Sequence, residues 1–213
     1  MPLRIPFKKH EVKDYERKRY QGFDQKLVHS REKKILQKIL EKIGKKDALV
    51  LDVPCGYGRF SSLLLERGLS LVSSDLSFHM VERAKERNEE SARFSGVVAD
   101  GISGLPFKGE VFDFILSVRF FHHLHHEEER KAVLGEFSRL AKEWVILSYY
   151  QINPLHIIQR KLRRRIKKSK TRIKMLSRKE FEREVELAGF RVIRIFPLFK
   201  GIHSHHTALL RKV

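Results

Sequence analysis

ALVLDVPCGYGRFSSLLLERG, residues 48–68, carries the clearest structural signal in this sequence. An apolar run ends at Asp52, a tight turn holds Gly56 and Gly58, and an amphipathic segment follows from Phe60. This order of strand, glycine turn and helix is typical of the opening unit of a nucleotide-binding α/β domain. Glycine lets a ligand approach the backbone closely, and the N–H groups that begin the helix favour an anionic group.

The following segments continue the alternation of strands and helices. LSLVSSD is a short strand that ends at Asp75, GVVAD is a third that ends at Asp100, and residues 111–118 read as a fourth, buried strand. A carboxylate at Asp75 is placed to hold two ribose hydroxyls. Ser61 stands where a dinucleotide fingerprint requires a third glycine, so the match to that fingerprint is incomplete.

Four segments resemble, in order, the motifs of class I S-adenosylmethionine (SAM)-dependent methyltransferases: LDVPCGYGR, SSDLS, VVADGISGLPF and FDFILSVRFFHHL. The resemblance covers residues 49–148. It implies an α/β fold with a Rossmann-like, seven-stranded, mostly parallel sheet, a C-terminal antiparallel hairpin and helices on both faces. The cofactor that it implies is SAM.

The resemblance also implies a set of cofactor contacts. Asp52, Gly56 and Gly58 would line the methionine side of SAM, and Asp75 would hold the ribose hydroxyls. Asp100 would accept a hydrogen bond from the adenine amino group. The full set of implied contacts is Asp52, Pro54, Cys55, Gly56, Gly58, Arg59, Asp75, Leu76, Asp100, Gly101, Ile102 and Arg119.

The composition fits one globular domain with a strong positive charge. The 213 residues suffice for one α/β domain, and the single cysteine excludes an intrachain disulfide and suits a reducing compartment. No apolar run reaches ~18 residues and the start lacks the apolar stretch of a secretory signal, so we expect a cytoplasmic protein, with peripheral contact to the membrane surface as an option. The 45 Lys and Arg against 26 Asp and Glu give a net charge of +19, which attracts polyanions such as nucleic acid or an anionic membrane.

The region before the glycine turn has a helical pattern. Apolar residues recur between residues 13 and 43, which predicts one or two amphipathic helices that end at Gly44. We assign residues 1–46 to an N-terminal helical cap over the SAM cleft and residues 47–213 to the methyltransferase domain. Plain packing of the helices against the sheet is the alternative. The aromatic residues expected near the cleft are Tyr15, Tyr20 and Phe23.

A basic helical insertion is predicted at about residues 153–176. Within it, RKLRRRIKKSKTRIK begins at Arg160, ends at Lys174, and holds ten Lys or Arg and no acid. Apolar residues from Leu155 to Ile166 share one helical face. Three interpretations stay open: a solvated surface helix or lid, a helix on an anionic membrane surface, and a nucleic-acid contact. The segment has no aromatic residues for base stacking, which weakens the nucleic-acid interpretation.

Methyl transfer requires an acceptor aligned with the S–CH3 bond, and it requires a base only when the acceptor is a weak acid. His122 and His123 follow the fourth strand at the carboxyl edge of the sheet and are the candidates for that base, with a packing role as the alternative. The candidates for the substrate pocket are Tyr149, Tyr150, His203 and His205, and aromatic packing is the alternative for the tyrosines. The clusters HHLHH and HSHH are weak evidence for a metal, so no metal is predicted.

These observations predict a methyltransferase that acts on oxygen, carbon or nitrogen of a small-molecule or lipid-like acceptor. The chain reads SVRFF after the fourth strand and lacks a D/N-PP-Y motif, which argues against adenine-N6 and glutamine methylation. An RNA methyltransferase that uses residues 160–174 is the alternative. A SAM-binding domain without activity is a third interpretation, and the intact Asp75, Asp100 and both glycines argue against it.

Overall fold

The computed structural model describes residues 6–18, 22–155, 157–158 and 173–213. In these residues two helices precede an alternation of strands and helices. The helices are α1 Lys9–Lys18, α2 Phe23–Ile43, α3 Ser61–Leu65, α4 Phe78–Glu86, α5 Glu127–Leu140 and α6 Arg178–Leu187. The strands are β1 Leu49–Asp52, β2 Ser70–Asp75, β3 Phe94–Val98, β4 Phe112–Ser117, β5 Ala141–Tyr150, β6 Phe190–Pro197 and β7 His205–Lys212.

The strands of the described residues form one seven-stranded sheet in the order β3-β2-β1-β4-β5-β7-β6. The first five pair in parallel, and β7 runs antiparallel to both β5 and β6. The predicted mostly parallel sheet with an antiparallel C-terminal hairpin is confirmed. β5 begins at Ala141, directly after the last residue of α5, because the helix passes into the strand without a turn.

Helices cover both faces of the sheet. One apolar cluster packs α5 and α6 against the sheet through residues such as Phe137 and Phe181, both fully buried. The other cluster packs α2 and α3 against the opposite face, and Ile39 of α2 is fully buried there. The C-terminal half of α2 is therefore part of the sheet packing, whereas Phe23 at its start is 86% exposed.

Local sequence signals set several helix ends. Gly44 ends α2 in the left-handed region, with φ of +67°, and its N–H donates to Leu40 O. Ser77 caps α4 by accepting the N–H of Met80. Ser177 and Glu180 form a capping box at the start of α6.

The ends of the basic insertion are described, and most of its basic run lies outside the described residues. A helical segment begins at Pro154, where the N–H of Ile157 donates to Asn153 O at 3.0 Å. Asn153 before this segment and Pro154 at its first position are residue types that favour such a helix start. Residues 156 and 159–172 are not described, and neither is Tyr20. None of the helices in the described ranges combines the length and apolar character that a membrane span requires.

Candidate active site

Two adjoining cavities lie at the carboxyl ends of the parallel strands. The order of the strands reverses between β1 and β4, and ligands of open α/β sheets bind outside such a point. The first cavity, of about 580 Å³, is bounded by the glycine turn, the segment after β4 and the end of β5. The second, of about 470 Å³, is bounded by the ends of β2 and β3. Both are lined by Phe7, Pro54, Asp75 and His123.

The two glycines of the turn serve different purposes. Gly56 lines the first cavity with φ of +55°, and a Cβ there would meet no atom within 4 Å, so the backbone faces open space that a ligand can enter. Gly58 has φ of +76°, and a Cβ there would lie 3.0 Å from Ser61 Oγ and 3.1 Å from Ala84 Cβ. The first glycine therefore leaves room for a ligand, and the second lets α3 and α4 pack against the turn.

Asp75 is held by backbone N–H groups at the junction of the cavities. Its Oδ2 accepts from the N–H of Gly56 and its Oδ1 from the N–H of Ser77, each at 2.9 Å. Burial raises the pKa of Asp75, while these hydrogen bonds act in the opposite direction. A carboxylate oxygen accepts more than one hydrogen bond, so both oxygens retain the capacity to accept from ribose hydroxyls.

The second cavity has the features of an adenine site. Asp100 and Gly101 line it together with Leu76 and Phe120. Asp100 accepts from the N–H of Ile102 at 3.0 Å and from Ser103 Oγ at 2.7 Å, which fixes the orientation of its carboxylate. Together with Asp75 and the open space at Gly56, these residues fit an adenosyl group that carries a ribose diol.

Three rings form one wall of the first cavity. His122 and His123 lie in a short 3-10 turn after β4, and Tyr150 ends β5. The ring centroids of the two histidines are 4.1 Å apart, and those of His122 and Tyr150 are 4.7 Å apart. His122 is buried and His123 is exposed. The position beside the cofactor cavity agrees with the predicted base, and the close stacking of His122 equally suits a packing role.

The model of a methyltransferase domain family matches residues 50–143. Residues 50–143 therefore carry a methyltransferase domain, as the resemblance to the class I SAM-dependent methyltransferases predicts. This confirms the predicted family and the predicted cofactor, SAM. A tRNA (carboxymethyluridine(34)-5-O)-methyltransferase of Xenopus tropicalis is 35% identical over 98 residues, which are 46% of this chain and 14% of that protein. A malonyl-[acyl-carrier protein] O-methyltransferase of Hamiltonella defensa is 32% identical over 104 residues, 49% of this chain and 38% of that protein.

Solved structures agree on the fold. The crystal structure of magnesium protoporphyrin IX methyltransferase from Synechocystis with bound SAH has a TM-score of 0.77 and 20% identity, and the match covers 94% of each chain. The chain spans 14% and 57% of the length of the first two curated relatives that it matches. The likeness therefore establishes the methyltransferase domain, and the acceptor has to be argued from this chain.

Some predicted site residues of this methyltransferase lie away from the two cavities. Tyr149 stacks on Phe181, with ring centroids 3.7 Å apart, and its O–H donates to Gln151 Oε1 at 2.8 Å. Successive strand residues face opposite sides of a sheet, so only one of two neighbouring tyrosines can face the cavity. Among the residues that line the two cavities, Tyr150 is present and Tyr149 is not. Tyr149 is therefore a packing residue.

The histidines of the last loop lie behind Tyr150. The ring centroid of His205 is 5.2 Å from that of Tyr150, and that of His203 is 6.0 Å away. The N–H of His205 donates to His203 Nδ1 at 2.9 Å. Neither histidine lines the two described cavities, so both support Tyr150 instead of forming the predicted substrate wall. Burial lowers the pKa of His205 to about 3, so this ring is neutral at pH 7.

Some of the remaining predicted cofactor contacts line the first cavity, and others are buried behind it. Pro54, Cys55, Arg59 and Arg119 line the first cavity. Asp52 and Ile102 line neither cavity: Asp52 is buried beneath the turn and Ile102 packs against the core. Burial raises the pKa of Asp52 to about 8, which favours its neutral form at pH 7. Burial also raises the pKa of the Cys55 thiol, so this residue is not an activated nucleophile.

The N-terminal helices contribute one expected residue and one that the sequence analysis missed. Tyr15 of α1 lines the first cavity, as expected, whereas Phe23 does not. Glu32 of α2 is 4% exposed and forms ion pairs with Arg59 and Arg119. The signal that could have found it is a carboxylate at helical spacing from the buried residues Ile35, Leu36 and Ile39.

Histidine clusters do not form a metal centre in the described part of the chain. No group of three or more His, Cys, Asp or Glu side chains there is arranged to hold a metal ion. HHLHH spans the 3-10 turn and the start of α5, and HSHH spans the loop before β7 and the start of that strand. These rings instead contact aromatic neighbours and backbone groups.

Proposed function

We propose that this methyltransferase methylates RNA, with tRNA as the first acceptor to test. The observation that carries the proposal is that Ile173 and Lys174, the last two residues of the basic segment, lie at the first cavity. Ile173 lines this cavity, and the N–H of Lys174 donates to His122 O at 2.9 Å. The sequence segment that holds ten Lys and Arg thus ends with two residues at the cavity, and cations in such a run neutralise the phosphates of a nucleic acid.

The ring wall supports the same proposal. The bases of RNA are recognised mostly in single-stranded segments, where they stack on aromatic and histidine rings. His122, His123 and Tyr150 offer such a surface beside the cofactor cavity, although the basic segment itself has no aromatic residue. The likeness to tRNA methyltransferases and the net charge of +19 agree with an RNA acceptor. Localisation in the cytoplasm is part of the proposal.

The chain's own residues would orient the two reactants. When bound, SAM supplies a methyl group on a positively charged sulfur, which is already activated for displacement. Asp75 and Asp100 hold the adenosine end, and the ring wall aligns the acceptor with the methyl group. His123 is exposed on the cavity and would accept the proton of a hydroxyl or nitrogen acceptor. A carboxylate acceptor would need no base, because it is already ionised at pH 7.

The test is transfer of label from methyl-labelled SAM into total tRNA from the source cells. Label in nuclease-sensitive material supports the proposal, and label that partitions into the organic phase refutes it. Salt dependence of tRNA binding is the second readout, with Arg163, Arg164 and Arg165 changed together to Gln. The slope of the logarithm of the tRNA-binding constant against the logarithm of the salt concentration should become shallower by about 2. The matched control changes three exposed cations on α6 and β6 to Gln, namely Lys179, Arg183 and Arg191, and should leave the slope unchanged.

A small-molecule or lipid-like acceptor at an anionic membrane is the second candidate, and one observation favours it. Four large apolar side chains near the start of the basic insertion and the loop before β7 are exposed by 47% to 58%: Ile152, Leu155, Ile158 and Ile202. Apolar side chains next to a cationic run are typical of helices that lie on anionic lipid. Flotation of the protein with anionic vesicles, and organic-phase label in the transfer assay, would favour this candidate over RNA.

A further inference from the structure

Glu32 joins two arginines that belong to different loops of the site. Its Oε1 accepts from Arg119 Nε at 2.8 Å and lies 2.7 Å from Arg119 Nη2, while its Oε2 accepts from the guanidinium of Arg59. Arg59 follows β1 and Arg119 follows β4, two strands that pair with Asp52 opposite Leu116. Both arginines line the first cavity, and Glu32 reaches them from α2, which lies outside the sheet.

Each arginine is also restrained within its own loop. Arg119 has φ of +62°, an uncommon value for a residue other than glycine, and its N–H donates to Ser148 Oγ at 2.6 Å. The guanidinium of Arg59 lies 4.1 Å from the centre of the Phe60 ring. These contacts restrain the two residues separately, and the carboxylate of Glu32 ties their charged ends to each other.

The charge of this cluster is not balanced. Two guanidiniums face one carboxylate, and His205, whose Nδ1 is 3.6 Å from Glu32 Oε1, is neutral because burial lowers its pKa. Burial raises the pKa of Glu32, but the two arginines outweigh this effect and hold it at about 2. Glu32 is therefore ionised, and one positive charge remains at the cavity wall. This favours a bound carboxylate, such as the one that SAM carries on its methionine part.

We propose that Glu32 is a positioning residue for the cofactor: it fixes the guanidiniums of Arg59 and Arg119 in one arrangement at the methionine end of the cavity. Helix α2 thereby controls the affinity for SAM from outside the SAM-binding loops. The inference rests on the proposed methyltransferase function, since it assigns a role at the cofactor site. Without the carboxylate, the two like charges would repel each other and leave the arrangement that receives the ligand.

The test is calorimetric titration of the full chain with SAM. Glu32→Gln keeps the size of the side chain and removes its charge, and it should raise the Kd for SAM by about tenfold to about a hundredfold. Glu32→Asp keeps the charge but shortens the side chain by one methylene group, so it should raise the Kd for SAM less than Glu32→Gln does. The matched control is Asp113→Asn at the opposite end of β4, where the carboxylate accepts from the N–H of Leu49 at 2.8 Å. This control should lower the melting temperature and leave the Kd for SAM unchanged.

A double-mutant cycle separates positioning from a general loss of structure. If Glu32 acts through the arginines, Glu32→Gln should have a smaller effect on the Kd in an Arg119→Gln background than alone. Equal effects in both backgrounds, or a wild-type Kd in folded Glu32→Gln, would overturn the inference. If Glu32→Gln does not fold, the same cycle is measured with Glu32→Asp, and the same two outcomes would overturn the inference. Failure of the wild-type chain to bind SAM would instead refute the proposed methyltransferase function.

Discussion

A buried ion pair between α5 and α6 should decide both the stability of the domain and the position of the histidine turn. Arg130 Nε donates to Glu184 Oε2 at 2.8 Å and Arg130 Nη2 to Glu184 Oε1 at 2.7 Å, and the two side chains are 4% and 8% exposed. Arg130 Nη1 also donates to the carbonyl oxygens of Leu124, at 3.1 Å, and His125, at 3.2 Å. The pair therefore anchors the segment that directly follows His123.

Glu184→Gln would leave the guanidinium of Arg130 buried without its counter-charge. Removing one partner of a buried ion pair typically costs about 3–5 kcal/mol of unfolding free energy. For a domain of this size each kcal/mol lowers the melting temperature by about 2–4 °C, so the expected loss is about 6–20 °C. Glu127→Gln is the matched control, because Glu127 pairs on the surface with Lys131 of the same helix and its loss should leave the melting temperature almost unchanged.

Scanning calorimetry measures the loss of stability, and hydrogen exchange of the peptide that covers residues 121–126 measures the loosening of the turn. Exchange there should accelerate in Glu184→Gln and not in Glu127→Gln, because Glu184 holds the guanidinium of Arg130 that bonds the carbonyls of Leu124 and His125. If the melting temperature of Glu184→Gln falls by less than about 3 °C, or if it falls equally in the two variants, the buried ion pair does not stabilise the domain as argued. Faster exchange without loss of turnover would show that the turn tolerates this displacement.

Further substitutions distinguish residues that bind the cofactor from residues that act on the methyl acceptor. Asp75→Ala removes a charged acceptor of two ribose hydrogen bonds and should raise the Kd for SAM at least about a hundredfold, measured by calorimetry; a wild-type Kd would refute the ribose assignment. Gly58→Ala and Gly56→Ala both place alanine at a positive φ and should both lower the melting temperature, with the larger fall in Gly58→Ala because its Cβ would also crowd α4. Gly56→Ala should in addition weaken SAM binding, because its Cβ points into the open space of the first cavity. His122→Ala and His123→Ala should keep the affinity for SAM and lower turnover of a hydroxyl or nitrogen acceptor; normal rates in both variants would exclude them as the base.

The features that the sequence predicted correctly are local in the chain. The glycine turn, Asp75 and Asp100 each follow a short strand directly, so the pattern that identifies them spans fewer than ten residues. Tyr149 and Tyr150 could not be separated in this way, because the face that each occupies depends on the register of β5 against β7. Glu32 was missed because its partners lie 27 and 87 residues away along the chain, and only the packed fold brings the three together.

Two aspartates that end neighbouring strands show why a motif alone does not define a role. Asp52 ends β1 and Asp75 ends β2, and burial raises the pKa of each. Asp75 receives two backbone N–H bonds that favour its ionised form, and it faces both cavities. Asp52 is almost fully buried, and the charge of Asp75 raises its pKa further. The backbone N–H groups therefore oppose the effect of burial at Asp75, and Asp75 is also the carboxylate that faces the cavities. The environment of each carboxylate, more than its place in the motif, supports the predicted ribose contact for Asp75 and favours a structural role in the turn for Asp52.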